Sequence, residues 1–343
     1  MSQPSNIQSL LDSLYAGDSL SRADAQQVFS AVIEGEMSEA AMAGMLVAMK
    51  MRGETIDEIS GAADALRAAA KPFPHGQATD IVDIVGTGGD GHNTINISTT
   101  ACFVAAAAGA NVAKHGNRSV SSKSGSSDLL AQFGIDLTMS PETARHCLDS
   151  FGLCFLFAPH YHGGVRHAVP VRQALKTRTL FNVLGPLINP SKPDYMVLGV
   201  YSEDLVAPIA EVVRALGVKR AMIVHGSGLD EVALHGPTQV AELKGGELKH
   251  YQITADDLGV AQASLADLAG GTPEENAALT EAILLGQGKP AHTNAVAANA
   301  GCALYVAGLA SDIKAGTAMA LAAIQSGDAH NKLKQLANAS QPA

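Results

Sequence analysis

Three short stretches of the chain carry residue types able to handle a polyphosphate. The first runs from Asp80 to Thr100 and opens on Ile81 to Val85, a short β-branched run that reads as a buried parallel strand. Gly86, Gly88, Gly89 and Gly91 follow at once, with Asp90 among them, then Thr94, Asn96 and Ile97. Ser98, Thr99 and Thr100 offer N-cap hydroxyls to an alanine-rich helix from Ala101 to Ala108. Glycines let backbone N–H groups approach an anion, and a helix N-terminus adds partial positive charge, so the stretch predicts an anion cradle. It lacks the Gly-Lys-Ser/Thr ending of a Walker loop and is no clean dinucleotide fingerprint. For the glycines alone, a tight turn without a ligand is the plainer alternative.

The second stretch shifts that balance. Lys114, His115, Gly116, Asn117, Arg118, Ser119, Val120, Ser121, Ser122 and Lys123 lead to Ser126, crowding cations and hydroxyls into a chain whose formal charge is −10. Lysine, arginine, hydroxyls and free amides together suit phosphate oxygens. The third stretch, Gly226 to Glu231, ends in the adjacent carboxylates Asp230 and Glu231. Most such pairs are solvated turns. Beside a polyphosphate loop, carboxylates and a hydroxyl are what Mg²⁺ prefers.

These stretches need elements to hold them. Residues 1 to about 72 read as helices, with Ser21 to Asp24 and Thr55 to Glu58 as capping boxes and Ser38 as a further cap. Met42, Met45, Leu46 and Met49 lie at helical spacing and read as core or a subunit interface. Lys71 to Pro74 links this region to the first strand. Further strands are expected at Ala110 to Ala113, Leu153 to Phe157, Met196 to Tyr201 and Ala221 to His225, and a helix from about Val165 to Lys176. The βαβ alternation predicts a mostly parallel sheet. Glu242 to Ile253 reads as a hairpin, and helices fill the chain to Leu336.

At 343 residues, with 47% hydrophobic and 16% charged residues, the chain is globular in composition, and its acidic balance argues against nucleic-acid binding. The four cysteines form no C-x-x-C pair, so neither a disulfide framework nor a zinc site is expected. His160, His162 and His167 lack metal-site spacing. There is neither a signal-peptide pattern nor a membrane-spanning run, and a cytoplasmic location is expected.

Gly86-Thr-Gly-Gly-Asp90, Asn96 to Thr99, Lys114 to Arg118, Gly125-Ser126 and Phe181 to Pro190 together resemble the anthranilate phosphoribosyltransferases of tryptophan biosynthesis, over nearly the whole chain. The resemblance implies a small all-helical domain and a larger α/β domain with a central, mostly parallel sheet, of the nucleoside phosphorylase/phosphoribosyltransferase type. It implies domains of 1–72 plus about 166–190, and of 73–165 plus 191–343, with a homodimer through the helical one. It implies that 5-phosphoribosyl 1-pyrophosphate binds at Gly86, Gly89, Asp90, Thr94, Asn96, Ile97, Ser98, Thr99, the run Lys114 to Ser122, and Ser126. Anthranilate would meet Gly86, Asn117 and Arg172, with His115 and His162 as second-rank candidates. Ser98, Asp230 and Glu231 would hold Mg²⁺, two ions per subunit. An arylamine is already a neutral nucleophile, so no general base is assigned.

The rivals are a pyrimidine nucleoside phosphorylase, which would not need Asp230-Glu231 or the full Lys114 to Arg118 motif, and a non-catalytic nucleic-acid-binding relative, disfavoured by the net charge. At Val165 related enzymes carry a larger side chain, which leaves the outer aromatic pocket open.

Overall fold

The structure, a computed structural model, describes residues 7–118 and 123–341; Ser119, Val120, Ser121 and Ser122 lie outside the described residues. The chain begins with four helices, α1 (Ile7–Tyr15), α2 (Arg22–Glu34), α3 (Glu39–Arg52) and α4 (Ile56–Ala68). Their starts follow the local chemistry. The hydroxyls of Ser21, Ser38 and Thr55 accept from backbone amides of the first turn, and Thr55 and Glu58 close a full capping box. Met42, Met45, Leu46 and Met49 are buried, which makes the methionine stripe core.

Seven strands follow: β1 (Ile81–Gly86), β2 (Asn111–Gly116), β3 (Leu153–Phe157), β4 (Tyr195–Gly199), β5 (Arg220–Gly226), β6 (Thr238–Lys244) and β7 (Glu247–Ile253). Their order is β3-β2-β1-β4-β5-β6-β7. The first five are parallel, and β6 and β7 add an antiparallel hairpin that turns at Gly245 and Gly246. Chain order reverses at β1, which pairs with β2 on one side and β4 on the other. In open α/β sheets, ligands bind at the carboxyl ends of strands around such a switch point.

One face of the sheet carries α5 (Ile97–Ala107) and the helices of the C-terminal third, around a core that includes Phe103, Phe155, Ala297 and Leu304. The other face carries a second core. There Phe29, Met45 and Leu66 of the helical region join Ala168 to Ile188 and the sheet residues Val85, Met196 and Leu198.

Three local expectations need correction. The alanine-rich helix starts at Ile97 with Asn96 in the N-cap position, so Ser98, Thr99 and Thr100 are first-turn residues rather than caps. The helix expected over Val165 to Lys176 is two pieces, a 3₁₀ turn Gly163–Ala168 and a helix Val169–Leu175. Pro170 supplies no backbone donor, which favours a fresh start there. The strand expected over Ala110 to Ala113 runs on to Gly116 and so carries Lys114 and His115 within β2.

Candidate active site at the carboxyl ends of the sheet

Four neighbouring parallel strands end on glycine: β2 at Gly116, β1 at Gly86, β4 at Gly199 and β5 at Gly226. Gly86 and Gly199 face each other in register. The loops beyond these ends approach closely. A Cβ at Gly199 would overlap the backbone carbonyl of Asp230, one at Gly86 the Asp230 carboxylate, and one at Gly226 the Glu231 carbonyl. Gly116 is equally confined, by Ser126 Oγ and the Phe155 ring.

The carboxylate loop thereby lies across the glycine loop. Asp230 Oδ2 accepts from the Gly88 amide at 2.6 Å, and Glu231 Oε1 accepts from the Ser98 amide in the first turn of α5 at 3.1 Å. Two carboxylates thus engage two of the amides an anion cradle would present. Burial raises both groups above the ordinary carboxylate range; Asp90 adds repulsion at Asp230, and Asp230 adds it at Glu231.

Lys114 supplies the counter-charge from beneath. It is buried, its ammonium donates to the Ile84 carbonyl at 2.7 Å, and it lies 3.5 Å from Ser98 Oγ. It holds Glu231 and Asp83 lower than burial alone would. Asp83 is fully buried inside β1, and desolvation pushes its pKa up to about 6. Its Oδ2 accepts from Asn189 Nδ2 at 2.8 Å, and the same amide reaches the Ala113 carbonyl at 2.8 Å, tying Phe181 to Pro190 to the sheet.

The remaining expected phosphate residues serve different ends. Asn96 pins the two loops together: its Nδ2 donates to the Ser124 carbonyl at 3.0 Å, and its Oδ1 accepts from Asn276 Nδ2 at 2.8 Å. Thr94 forms an isolated bridge with Ala269. Ile97 and Thr99 are buried in α5, and the Ile97 amide donates to the Ile95 carbonyl at 2.9 Å. A Cβ at Gly89 would meet nothing within 4 Å, and Asp90 Oδ1 accepts from the His92 amide at 3.0 Å. The Asn117 carbonyl accepts from Ser126 Oγ at 3.0 Å, while Arg118 is exposed.

Arg172 stands apart from that group, on the helix Val169–Leu175 with its guanidinium 5.4 Å from the Phe181 ring centroid. Among the described residues its guanidinium has no hydrogen bond or ion pair, and burial lowers its pKa. His115 and His162 stack edge to face at 5.2 Å. Desolvation pushes them down to about 3 and about 4, so both are neutral near pH 7. His115 Nδ1 is 3.1 Å from the Gly185 carbonyl, which leaves Nε2 without a partner among the described residues.

Sequence reasoning passed over Asp83, Gly199, Asn276, Arg178 and Tyr201. Asp83 had a signal, a charged residue inside the apolar run Ile81 to Val85, whereas Asn276 reaches Asn96 only through the fold.

For Mg²⁺ the donor chemistry fits. Asp230, Glu231 and the Ser98 hydroxyl are hard oxygen ligands, and Mg²⁺ takes one or two carboxylates and fills its octahedron with water and substrate oxygens. No group of three or more His, Cys, Asp or Glu side chains among the described residues forms a ready-made cage.

A switch-point cradle of this build suits a phosphorylated ligand. The profile described as "Glycosyl transferase family, a/b domain" matches residues 78–330, and "Glycosyl transferase family, helical bundle domain" matches residues 8–70. The anthranilate phosphoribosyltransferase of Shewanella baltica (strain OS195) is 74% identical over 340 residues, covering 97% of this chain and 95% of its own. The solved structure of the Thermus thermophilus enzyme superposes with a TM-score of 0.92 at 42% identity, covering 97% of this chain and 99% of that one. The Saccharomyces cerevisiae enzyme in complex with PRPP and Mg gives a TM-score of 0.89 at 27% identity, with 98% of each chain covered. The chain belongs to the anthranilate phosphoribosyltransferases, enzymes of tryptophan biosynthesis that transfer the phosphoribosyl group of 5-phosphoribosyl 1-pyrophosphate (PRPP) to the amine of anthranilate.

Proposed function

We propose that the transfer takes place at the carboxyl ends of β1, β2, β4 and β5, with the two substrates held by different residues. The observation that carries this reading is the meeting of the glycine loop, buried Lys114 and the Asp230–Glu231 pair at the switch point. Amides of the glycine loop and of the α5 first turn, with Lys114, bind the polyphosphate, and Asn117 and Ser126 bound the ribose 5-phosphate side. Gly86, Asn117 and Arg172 take anthranilate. Arg172 lacks a carboxylate partner among the described residues, and a guanidinium can grip the anthranilate carboxylate with two parallel bonds. The neutral His115 and His162 rings line the same pocket.

Mg²⁺ is held by Asp230, Glu231 and Ser98, and when bound it neutralises charge that develops on the leaving pyrophosphate. Two ions per subunit suit the two carboxylates, which contact different elements, Gly88 and Ser98. Asp230 and Glu231 must leave those amides for phosphate oxygens to take their place. The protein's main contribution is then placement of the amine near C1, an effect that can be worth about 7–11 kcal/mol.

The helical region 1–72 with about 166–190 acts as one domain and 73–165 with 191–343 as the other, the first packing on one face of the sheet. The helical domain pairs with a second copy. Tyr15 and Met51, 49% and 83% exposed on α1 and α3, support that surface, and sedimentation velocity checks it. A cytoplasmic location is part of this proposal; separately, no helix among the described residues is long and apolar enough to cross a membrane.

Steady-state kinetics with each substrate varied in turn tests the assignment. Arg172→Ala should raise KM for anthranilate by one to two decades, as loss of a charge-assisted bond of roughly 1.5–3 kcal/mol requires, and leave KM for PRPP nearly unchanged. Lys114→Met should do the reverse. Equal effects of Arg172→Ala on both constants, with a lowered Tm, would make Arg172 structural.

A further inference from the structure

Arg178 lies between the helix Val169–Leu175 and the helix Phe181–Leu187, on a segment tied to the helical region where Lys50 of α3 donates to Thr177 Oγ1. Its side chain reaches the glycine loop beyond β1. The guanidinium donates to the carbonyl of Gly89 in the glycine loop and stacks on the Tyr201 ring, 4.1 Å from its centroid. Tyr201 is itself fixed to that loop, its amide donating to Thr87 Oγ1 at 3.1 Å, while the Thr87 amide donates to the Gly199 carbonyl at 2.9 Å.

Gly88 and Gly89 have φ of +69° and +79°, and neither has an atom within 4 Å of where a Cβ would stand. Thr87 Oγ1 donates to the Gly88 carbonyl at 3.2 Å and Asp230 accepts from the Gly88 amide, but no packing against the glycines themselves turns the next peptide, Gly89 to Asp90, and glycine backbones impose little preference of their own. The peptide joining Gly89 to Asp90 is planar and trans, so its N–H points opposite to its C=O. Whatever grips the Gly89 carbonyl also aims the Asp90 N–H.

We propose that Arg178 is a positioning residue for the PRPP site: by holding the Gly89 carbonyl on its own side, it turns the Asp90 N–H toward the polyphosphate. Tyr201 keeps the guanidinium plane in place. This inference rests on the reading that the glycine loop binds the polyphosphate. It makes the helical side of the molecule a determinant of PRPP affinity without a contact to that substrate.

The test uses the full-length chain as wild type, Arg178→Ala, Arg178→Lys and Tyr201→Phe, with kinetics and amide NMR of ¹⁵N-Gly- and ¹⁵N-Asp-labelled protein. Arg178→Ala should raise KM for PRPP about tenfold, the lower end for loss of one charge-assisted bond, with KM for anthranilate and Tm unchanged. Arg178→Lys should recover part of this, since an ammonium can donate to the carbonyl but cannot stack as a plane. Tyr201→Phe, which keeps the ring, should behave as wild type. In the ligand-free Arg178→Ala protein the Asp90 amide resonance should already be displaced, which a direct guanidinium–pyrophosphate contact would not cause.

An unshifted Asp90 resonance in free Arg178→Ala, or an unchanged KM for PRPP, overturns the proposal. A KM for anthranilate that rises in step with that for PRPP overturns it too. The underlying reading fails separately: wild-type loop amides would then show no response to PRPP with Mg²⁺.

Discussion

At Gly88, Gly89 and Gly91 the backbone has φ of +69°, +79° and +83°, and a Cβ added at any of them would meet nothing within 4 Å. At Gly86, Gly199 and Gly226 the backbone is ordinary for an L-residue, yet an added Cβ would overlap atoms of Asp230 or Glu231. The first group is glycine because of its torsions and opens onto empty space. The second is glycine because another loop sits where a side chain would be. Side by side, the two groups show a site with one wall set by backbone conformation and left free for a ligand. The opposite wall is set by close packing, which fixes the main chain that carries the carboxylates.

The packed wall should be the more sensitive to added volume. Gly199→Ala pushes a methyl into the main chain of Asp230, and no rotamer change can relieve a clash with backbone. We expect a loss of about 3 kcal/mol, the upper part of the range for overpacked sites, with turnover largely gone because the carboxylate pair is displaced. Urea denaturation measures the first and anthranilate consumption the second. A loss under about 1 kcal/mol would show that the loop yields easily, and the contrast between the walls would fail.

Removing charge from the packed wall should instead stabilise it. Burial and its neighbour Asp230 raise Glu231 above its ordinary value of 4.5. A carboxylate raised by folding contributes stability that is fully present below its unfolded pKa and lost as pH rises through the folded one. Glu231→Gln should therefore melt higher than the parent in neutral to mildly alkaline solution, and the gain should vanish as pH falls below the glutamate range. Mg²⁺ should raise the parent's Tm and leave that of the variant almost unmoved. Turnover of the variant should be low at every pH. A variant that melts lower than the parent at alkaline pH would mean that the Glu231 bond to the Ser98 amide outweighs the cost of burying its charge.

The two walls also differ in what the sequence discloses. Gly88, Gly89 and Gly91 are legible only beside the cations and hydroxyls that follow Lys114, and Asp230-Glu231 only beside a loop that suits polyphosphate. The parallel sheet is legible in the alternation of short apolar runs and helical stretches, and the caps Ser21, Ser38 and Thr55 lie beside the helices they start. The need for glycine at Gly199 is hidden because its partner, Asp230, is brought there by tertiary contact and not by spacing. The start of α5 is misread for a related reason. Asn96 occupies the N-cap but spends its side chain on Ser124 and Asn276, while the distant Glu231 satisfies the Ser98 amide. Arg178 looks like any surface arginine until the chain returns to bring it onto the Gly89 carbonyl.

The open wall supplies the smallest effect and the finest discrimination. If Gly91 is glycine only because φ is +83°, with nothing near the missing Cβ, the cost of a side chain there is conformational alone. Alanine pays the left-handed penalty of roughly 1–2 kcal/mol, whereas asparagine enters that region more readily through local side-chain hydrogen bonds. Gly91→Ala should lower stability by about 1 kcal/mol and Gly91→Asn by roughly half of that or less, both far below Gly199→Ala. Paired urea melts of the two variants decide the matter. Equal losses for alanine and asparagine would mean that volume, not torsion, is what the position excludes. In that case the free space around the glycine loop would close in solution, and the two walls would be packed alike.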